Sequence, residues 1–377
     1  MKNLPKITFG IIILNGEPFA RYNLQALYPF AHQIIVVEGA SPNAAHVATS
    51  SGHSTDETLE VLRRFKAESD PENKVILVTA EDEGHPDGFW PGEKDQQSQA
   101  YARRATGDWL WQIDIDEFYL PDDMLRVCAY LQAHPQITCL TFNAFHFWGG
   151  FDYLVEGGLF MHRNFQGEKW GAYRRVFKWG PGYHYQTHRP PTIHDDIGCD
   201  ITSVNKRNMT RQPYGAPVYM YHYTNLFPRQ VIPKGVYYAK LGQVAQRKKF
   251  ESFSTQLDEK KAIRIYNHYG TFNWLQRFNG KHPPVIDALR SDIENGHLDI
   301  EMRATDDIEH LLHSRRYRRV THLLDQLERM RIHALHMRWF CRRKIARFIY
   351  TLAPSVLIRQ LPEAWQWKLS RLSTSKP

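Results

Sequence analysis

The chain predicts an α/β fold: a Rossmann-like, mostly parallel sheet flanked by helices, with a C-terminal helical extension. Three observations lead there. Four near-continuous apolar runs, at 7–14, 33–37, 74–78 and 109–113, have the length of strands buried on both faces. Segments with helical spacing separate them. Each run also ends in a polar cluster, and ligands of open parallel sheets bind beyond the carboxyl ends of the strands.

The first run closes in a turn at Asn15, Gly16, Glu17 and Pro18. Phe19, Tyr22, Ala26 and Leu27 then recur at helical steps. The second run ends at Glu38 and Ser41. Ser54 with Glu57 three residues later reads as a capping box, opening a helix through Leu59, Val61, Leu62 and Phe65. The third run leads to Glu81 and Asp82, and a Gly/Pro-rich loop follows over 84–92. A helix over 93–105 precedes the fourth run, Trp109 to Ile113, which stops abruptly at Asp114, Asp116 and Glu117. Strand residues two apart share a side, so Asp114 and Asp116 are expected to project together. Adjacent carboxylates raise each other's pKa unless a cation lies between them. Mg²⁺ or Mn²⁺ accepts such oxygens and leaves positions open for phosphate.

The 377 residues allow one large domain with an appendage, or two domains. A hydrophobic content of 42% with 13% aromatics is ample for a packed core. Cys128, Cys139, Cys199 and Cys341 form no Cys-x-x-Cys pair, which argues against a zinc site or disulfide framework and fits a reducing cytoplasm. No signal-peptide pattern and no membrane-spanning apolar run is expected. The net charge of +8 is unevenly placed. From Leu311 onward 15 Lys/Arg face three acids, whereas the first 310 residues carry 33 basic and 37 acidic side chains. A basic end on a mildly acidic body points to an anionic surface as partner.

Between His146 and Thr224 the chain is rich in aromatic, His, Arg and Gly residues, which suits a cleft for carbohydrate rings. Asp195 and Asp196 are the candidates for a base that deprotonates an incoming hydroxyl, with Glu168 in reserve. Arg174 and Arg175 are candidate diphosphate partners. Helices are expected over 234–250 and 257–268, and the segment around Phe272 and Trp274 is expected to close the acceptor side. In the tail, Ala334, Met337, Cys341, Ile345, Phe348 and Leu352 form an apolar stripe among Arg331, Arg338, Arg342, Arg343, Lys344 and Arg347. That pattern fits a helix lying on an anionic membrane surface, with a packed C-terminal helix as the alternative. The apolar stripe disfavours a nucleic-acid arm.

No Gly-x-Gly-x-x-Gly follows the first strand, and there is no Walker lysine loop. Any bound nucleotide must therefore be neutralised by a cation on the Asp pair, helped by Lys94 and by Arg103 or Arg104. The first 120 residues or so resemble the nucleotide-binding half of GT-A fold glycosyltransferases, family 2-type enzymes in particular. The resemblance rests on Ile11 to Glu17, Ile34 to Gly39, Ser54 to Thr58, Gly92 to Gln97 and, above all, Gly107 to Phe118. It implies a metal-dependent, inverting transfer of a sugar from a nucleoside diphosphate sugar, usually a UDP-sugar, to a saccharide or glycolipid. It further implies that Asp114 lies on the ribose or sugar side and belongs to the metal site, that Asp116 ligates Mn²⁺ or Mg²⁺, and that His222 is a further ligand, with a buried, hydrogen-bonded histidine as the alternative reading of His222. Leu14, Asn15, Glu17 and Glu38 would meet base and ribose, and Lys94 and Gln97 would lie over the nucleotide. The implied division is 1–235 for the catalytic domain (nucleotide half 1–120, acceptor half 121–235), 236–305 for a helical closing region and 306–377 for the tail. The implied location is the cytoplasm, on the inner face of the membrane. Two rivals are a nucleotidyltransferase, which Asn15 to Pro18 match poorly, and a membrane-bound carbohydrate-binding module without catalysis. A haloacid dehalogenase-like phosphatase is disfavoured by Phe118, which stands where Thr or Val is needed.

Overall fold

The computed structural model describes residues 4–159, 172–211, 216–240, 253–263 and 272–352. Their order is β1 (Ile7–Ile13), α1 (Phe19–Leu27), β2 (Gln33–Glu38), α2 (Thr58–Glu68), β3 (Val75–Val78), α3 (Lys94–Arg104), β4 (Trp109–Asp114), β5 (Glu117–Phe118), α4 (Pro121–Ala133), β6 (Cys139–Trp148), β7 (Tyr153–Leu159) and β8 (Ala172–Lys178). There follow β9 (His184–Thr187), β10 (Thr192–His194), α5 (Ile201–Val204), β11 (Lys206–Asn208), β12 (Tyr219–Asn225), α6 (Pro228–Lys240), α7 (Glu259–Ala262), β13 (Phe272–Arg277), α8 (Pro284–Glu294), α9 (Asp306–His313) and α10 (Arg315–Leu352).

The four apolar runs become the parallel strands β3–β2–β1–β4, in that spatial order. Every residue of β2 is buried, as a strand covered on both faces requires. Alternation sorts the side chains. Phe9, Ile11, Trp111 and Ile113 pack on one face with α1, α2 and α4, while Ile35, Val37 and Leu110 meet α3 on the other. Gly10 permits the close seat of α3, because a Cβ there would lie 2.6 Å from the Tyr101 ring. Beyond β4 the sheet becomes mixed. β8 pairs antiparallel with β4 and β6, and β12 runs parallel to β6 and antiparallel to β5. Trp111 stacks on Phe142 across this half, with centroids 5.7 Å apart.

Two local expectations, the Ser54 cap and the start of the helix at 234, are corrected, and two further segments are located. Ser54 does not cap a helix. Its hydroxyl donates to Glu38 Oε1 at 2.8 Å and accepts from the Asn15 N–H at 2.9 Å, and the helix begins only at Thr58, whose N–H bonds Asp56 Oδ1. The helix placed at 234–250 begins at Pro228 and contains Pro233, and its residues beyond 240 lie outside the described set. Of the helix placed at 257–268, the described part is α7, opened by Asp258, whose side chain accepts from the Lys261 N–H. The segment at Trp274 is strand β13, paired with β7, with Trp274 and Leu275 in the core. The C-terminal extension is helical as expected. Tyr317, 2% exposed, anchors α10 by exchanging hydrogen bonds with the Leu275 backbone. Further along, Leu323, Leu327, Met330 and Met337 are exposed. Among the described residues no helix is long and apolar enough to cross a membrane.

Candidate active site

A cavity of ≈ 240 Å³ opens at the carboxyl ends of β1 and β4, beneath α6. Leu14, Asn15, Glu17, Lys94, Gln97, Asp114, Asp116 and His222 all line it, so eight residues singled out in the sequence converge there. They come from four places in the chain. The parallel strand ends supply the first and third groups, helix α3 supplies Lys94 and Gln97, and β12 of the mixed half supplies His222.

The wall after β1 is held by the segment at 47–58. Asn15 adopts φ 52°, a conformation asparagine tolerates, and its amide bonds the Val47 carbonyl at 2.6 Å and the Thr55 N–H at 2.7 Å. Gly16 N–H donates to Thr58 Oγ1 and Glu17 N–H to Asp56 Oδ2. Asn15 is thus a brace whose side chain is already engaged. Gln97, 4% exposed, likewise donates to the Gly39 carbonyl at 2.8 Å. Glu17 Oε1 is buried with no hydrogen-bond partner among the described residues. Burial, then the neighbouring Asp56, pushes its carboxyl up to about 7.

At the end of β4 the carboxylates are matched by side-chain cations. Arg175, from β8, donates to Glu117 and, at 3.2 Å, to Asp114 Oδ2; Arg189 reaches the same oxygen at 3.3 Å from the turn between β9 and β10. Burial would raise the Asp114 carboxyl, but Arg175, Arg189 and Lys94 together hold it below the usual range. Glu117 is fully buried, and burial keeps its carboxyl above the ordinary value despite Arg175. Asp116 Oδ2 accepts from Lys234 at 3.0 Å and from Gln230 at 3.1 Å, and Oδ1 faces His222 Nε2 at 3.5 Å. Against the effect of burial, Lys234 and His222 keep Asp116 well below the carboxylate range.

The metal expectation can be tested on these donors. A separation of 3.5 Å is long for a hydrogen bond but suits two ligands of one ion, and His222 Nδ1 is buried without a partner among the described residues. Asp116 and His222 therefore fit a divalent cation that completes its shell with phosphate oxygens and water. Asp114 fits less well, since two guanidinium groups already hold it. Among the described residues no three His, Cys, Asp or Glu side chains form a ready metal cluster.

Other expectations are not brought to the cavity. Glu38 is fully buried away from it, and its carboxylate takes the Ser54 N–H and hydroxyl at 2.8 Å and His53 Nδ1 at 2.8 Å, a brace for the loop after β2. Asp195 and Asp196 lie in the turn after β10, outside the lining. Asp195 Oδ1 accepts from the Ile197 and Cys199 N–H groups, an Asx turn, and Asp196 is exposed. Arg174 turns to the Pro191 carbonyl and Thr202, away from the Asp pair. Glu168 lies outside the described residues.

The sequence reading missed Arg189, Gln230, Lys234, Tyr237 and Tyr238, all of which line the cavity. Four of these follow one face of α6 at steps of four, seven and eight, a spacing visible in the sequence but given no role there. Tyr237 donates to Glu93 Oε2 at 2.7 Å, and Glu93 also receives Ser41 and Asn43, which ties α6 across the cleft to the start of α3. Arg189 carries no periodic signal. Only the β9–β10 hairpin places it.

No family model matches the chain, and no curated protein matches it. Several solved structures do. The mannosyltransferase PcManGT from Pyrobaculum calidifontis, in complex with GDP-Man and Mn²⁺, is 18% identical, with 79% of this chain and 71% of that chain covered and a TM-score of 0.37. S. aureus TarS 1-349 is 10% identical over 69% of each chain, with a TM-score of 0.34. The glucosyl-3-phosphoglycerate synthase from Mycobacterium tuberculosis, in complex with Mn²⁺, UDP and glucosyl-3-phosphoglycerate, is 17% identical, with a TM-score of 0.27. That similarity covers 38% of this chain and 45% of the synthase.

Proposed function

We propose that the protein is a glycosyltransferase that moves a sugar from a nucleoside diphosphate sugar, with UDP-sugars the first choice, to a hydroxyl of a saccharide or lipid-linked saccharide with inversion. The observation that carries this reading is the Asp114/Asp116 pair at the end of β4, facing Arg189 and Lys234 across one cleft. A departing diphosphate needs positive charge fixed where its own negative charge develops. The cleft supplies such charge at the edge of a parallel sheet where ligands bind. The resemblance carried by Gly107 to Phe118 supports the same reading.

A divalent ion held by Asp116 and His222 would act as a Lewis acid on the leaving phosphate. The chain's own residues do the rest. Arg175 fixes Asp114 for the sugar or ribose side, Asn15 and Gln97 hold the nucleotide walls, and Glu93 with Tyr237 keeps α6 over the cleft.

We further propose that α10 rests on an anionic bilayer. Support comes from its exposed Leu323, Leu327, Met330 and Met337 and from the Arg-rich sequence that follows. The activity is tested by incubating the protein with a panel of UDP- and GDP-sugars and Mn²⁺. Release of free nucleoside diphosphate is expected. Binding without release would make the protein a carbohydrate- or nucleotide-binding module instead.

A further inference from the structure

We propose that Lys94, Arg189 and Lys234 form a side-chain cation site that binds the diphosphate of the donor in the absence of any divalent ion. The inference rests on the donor reading above and goes beyond it in separating binding from the metal. Three elements supply the cations: the first turn of α3, the β9–β10 turn and the middle of α6. No two of these elements are neighbours in sequence, so their convergence on one wall is a product of the fold.

Counting Glu17, Glu93 and Arg229, which also line the cavity, acids and bases are equal in number, and Arg189 and Lys234 cluster beside the Asp pair. Asp114, Asp116 and Glu117 face Arg175, Arg189, Lys94 and Lys234. Arg175 is buried and shared between Glu117 and Asp114, which leaves the other three cations at the cleft. Arg189 and Lys234 are 49% and 38% exposed along their side chains, so both can turn toward a ligand while still near their carboxylates. Two neighbouring groups register these cations. The Lys94 ammonium is disfavoured, chiefly by Arg189 and then by burial. Burial alone would raise the Tyr238 hydroxyl, yet Arg189, Lys94 and Lys234 lower it, and Arg189 donates to its oxygen at 3.2 Å. Cations that disfavour a neighbouring lysine's charge and lower a neighbouring phenol are crowded closely enough to attract an added anion. A diphosphate brings two to three negative charges and many acceptor oxygens, and arginine and lysine bind these as fork and point charge.

The contact of Lys234 with Asp116 gives the site a second property. The Lys234 ammonium lies 3.0 Å from Asp116 Oδ2, and the other carboxylate oxygen, Oδ1, faces His222, so a side-chain cation stands beside this carboxylate. Lys234, 38% exposed, can reach a diphosphate from this position, so binding of the diphosphate would not require a metal, while Asp116 and His222 would remain the residues to hold one.

The test is isothermal titration of the full chain with UDP, GDP, inorganic pyrophosphate and uridine, each in EDTA and in Mn²⁺. Expected in EDTA is binding of at least one nucleoside diphosphate and of pyrophosphate, none of uridine, and a loss of about tenfold or more in K234Q and R189Q. K234R should keep binding near the wild type, which separates charge from fold. If UDP and GDP bind only with Mn²⁺ and pyrophosphate does not bind in EDTA, the cation site is overturned. If pyrophosphate binds in EDTA and weakens in K234Q, while no nucleoside diphosphate binds under either condition, the cation site stands and the donor reading falls.

Discussion

Arg175 Nη2 lies 3.2 Å from Asp114 Oδ2, and its side chain is only 7% exposed. This contact joins the antiparallel half of the sheet to the parallel half at the point where the cleft begins. Removing the guanidinium would leave Glu117 buried without its counter-charge and Asp114 with Arg189 as its remaining ion pair. Arg175→Met is therefore expected to destabilise the fold by about 3–5 kcal/mol, the usual cost of breaking a buried pair from one side. Chemical denaturation would measure it, and a loss below about 1 kcal/mol would refute the role.

Asp116 is the carboxylate on which Lys234, Gln230 and His222 converge. Asp116→Asn should lower turnover about a hundredfold or more and abolish the Mn²⁺ dependence of nucleotide binding. Steady-state assays at several Mn²⁺ concentrations give both readouts. Normal turnover in this variant would remove the basis of the proposed function.

Glu17 offers a pH test. Its carboxyl is raised to about 7 in the folded chain against an unfolded value of 4.5, so between those pH values the folded state holds the extra proton. Stability attributable to Glu17 is full below about pH 4.5 and falls as pH rises toward 7. Glu17→Gln removes that loss, and its advantage at pH 8 should be about 1–3 kcal/mol, fading at pH 4.5. Thermal melts at the two pH values decide it, since equal effects at both would contradict the assignment.

Asp195 and Asp196 separate the sequence expectation from the tertiary placement. Removing a general base costs about 10²-fold or more. Because neither residue lines the cleft, Asp196→Ala is expected to change turnover by less than about threefold. A large loss of kcat in that variant, with folding intact, would restore the base role.

The tail can be tested apart from the site. Truncation after Arg329 keeps the Tyr317 anchor and removes the Arg-rich part of the helix. The full chain is expected to sediment with phosphatidylserine vesicles in low salt, and the truncated chain to stay in the supernatant. Persistent sedimentation of the truncated chain would exclude this helix as the anchor.

The sequence by itself determined the parallel sheet and the placing of Asp114 and Asp116 at its edge. Strand burial, side-chain alternation and the carboxylates that stop β4 are all local properties, and a parallel sheet leaves its strand ends on one side. Asn15 and Glu17 follow from the same strand-end rule, whereas Leu14, Gln97 and His222 are expected from the family resemblance and Lys94 as a helper cation, and all of them line the cleft. Tertiary structure decided the partners. Glu38 became a brace because Ser54 and His53 fold back onto it, and Ser54 was lost as a cap through the same bonds. Arg189 and Lys234 entered because a hairpin and a helix far along the chain close over the strand ends, a contact no local period encodes. Charge placement is a pairwise property of residues remote in sequence. Strand and helix periods reveal which face a side chain takes, but only the folded chain settles which charge it meets.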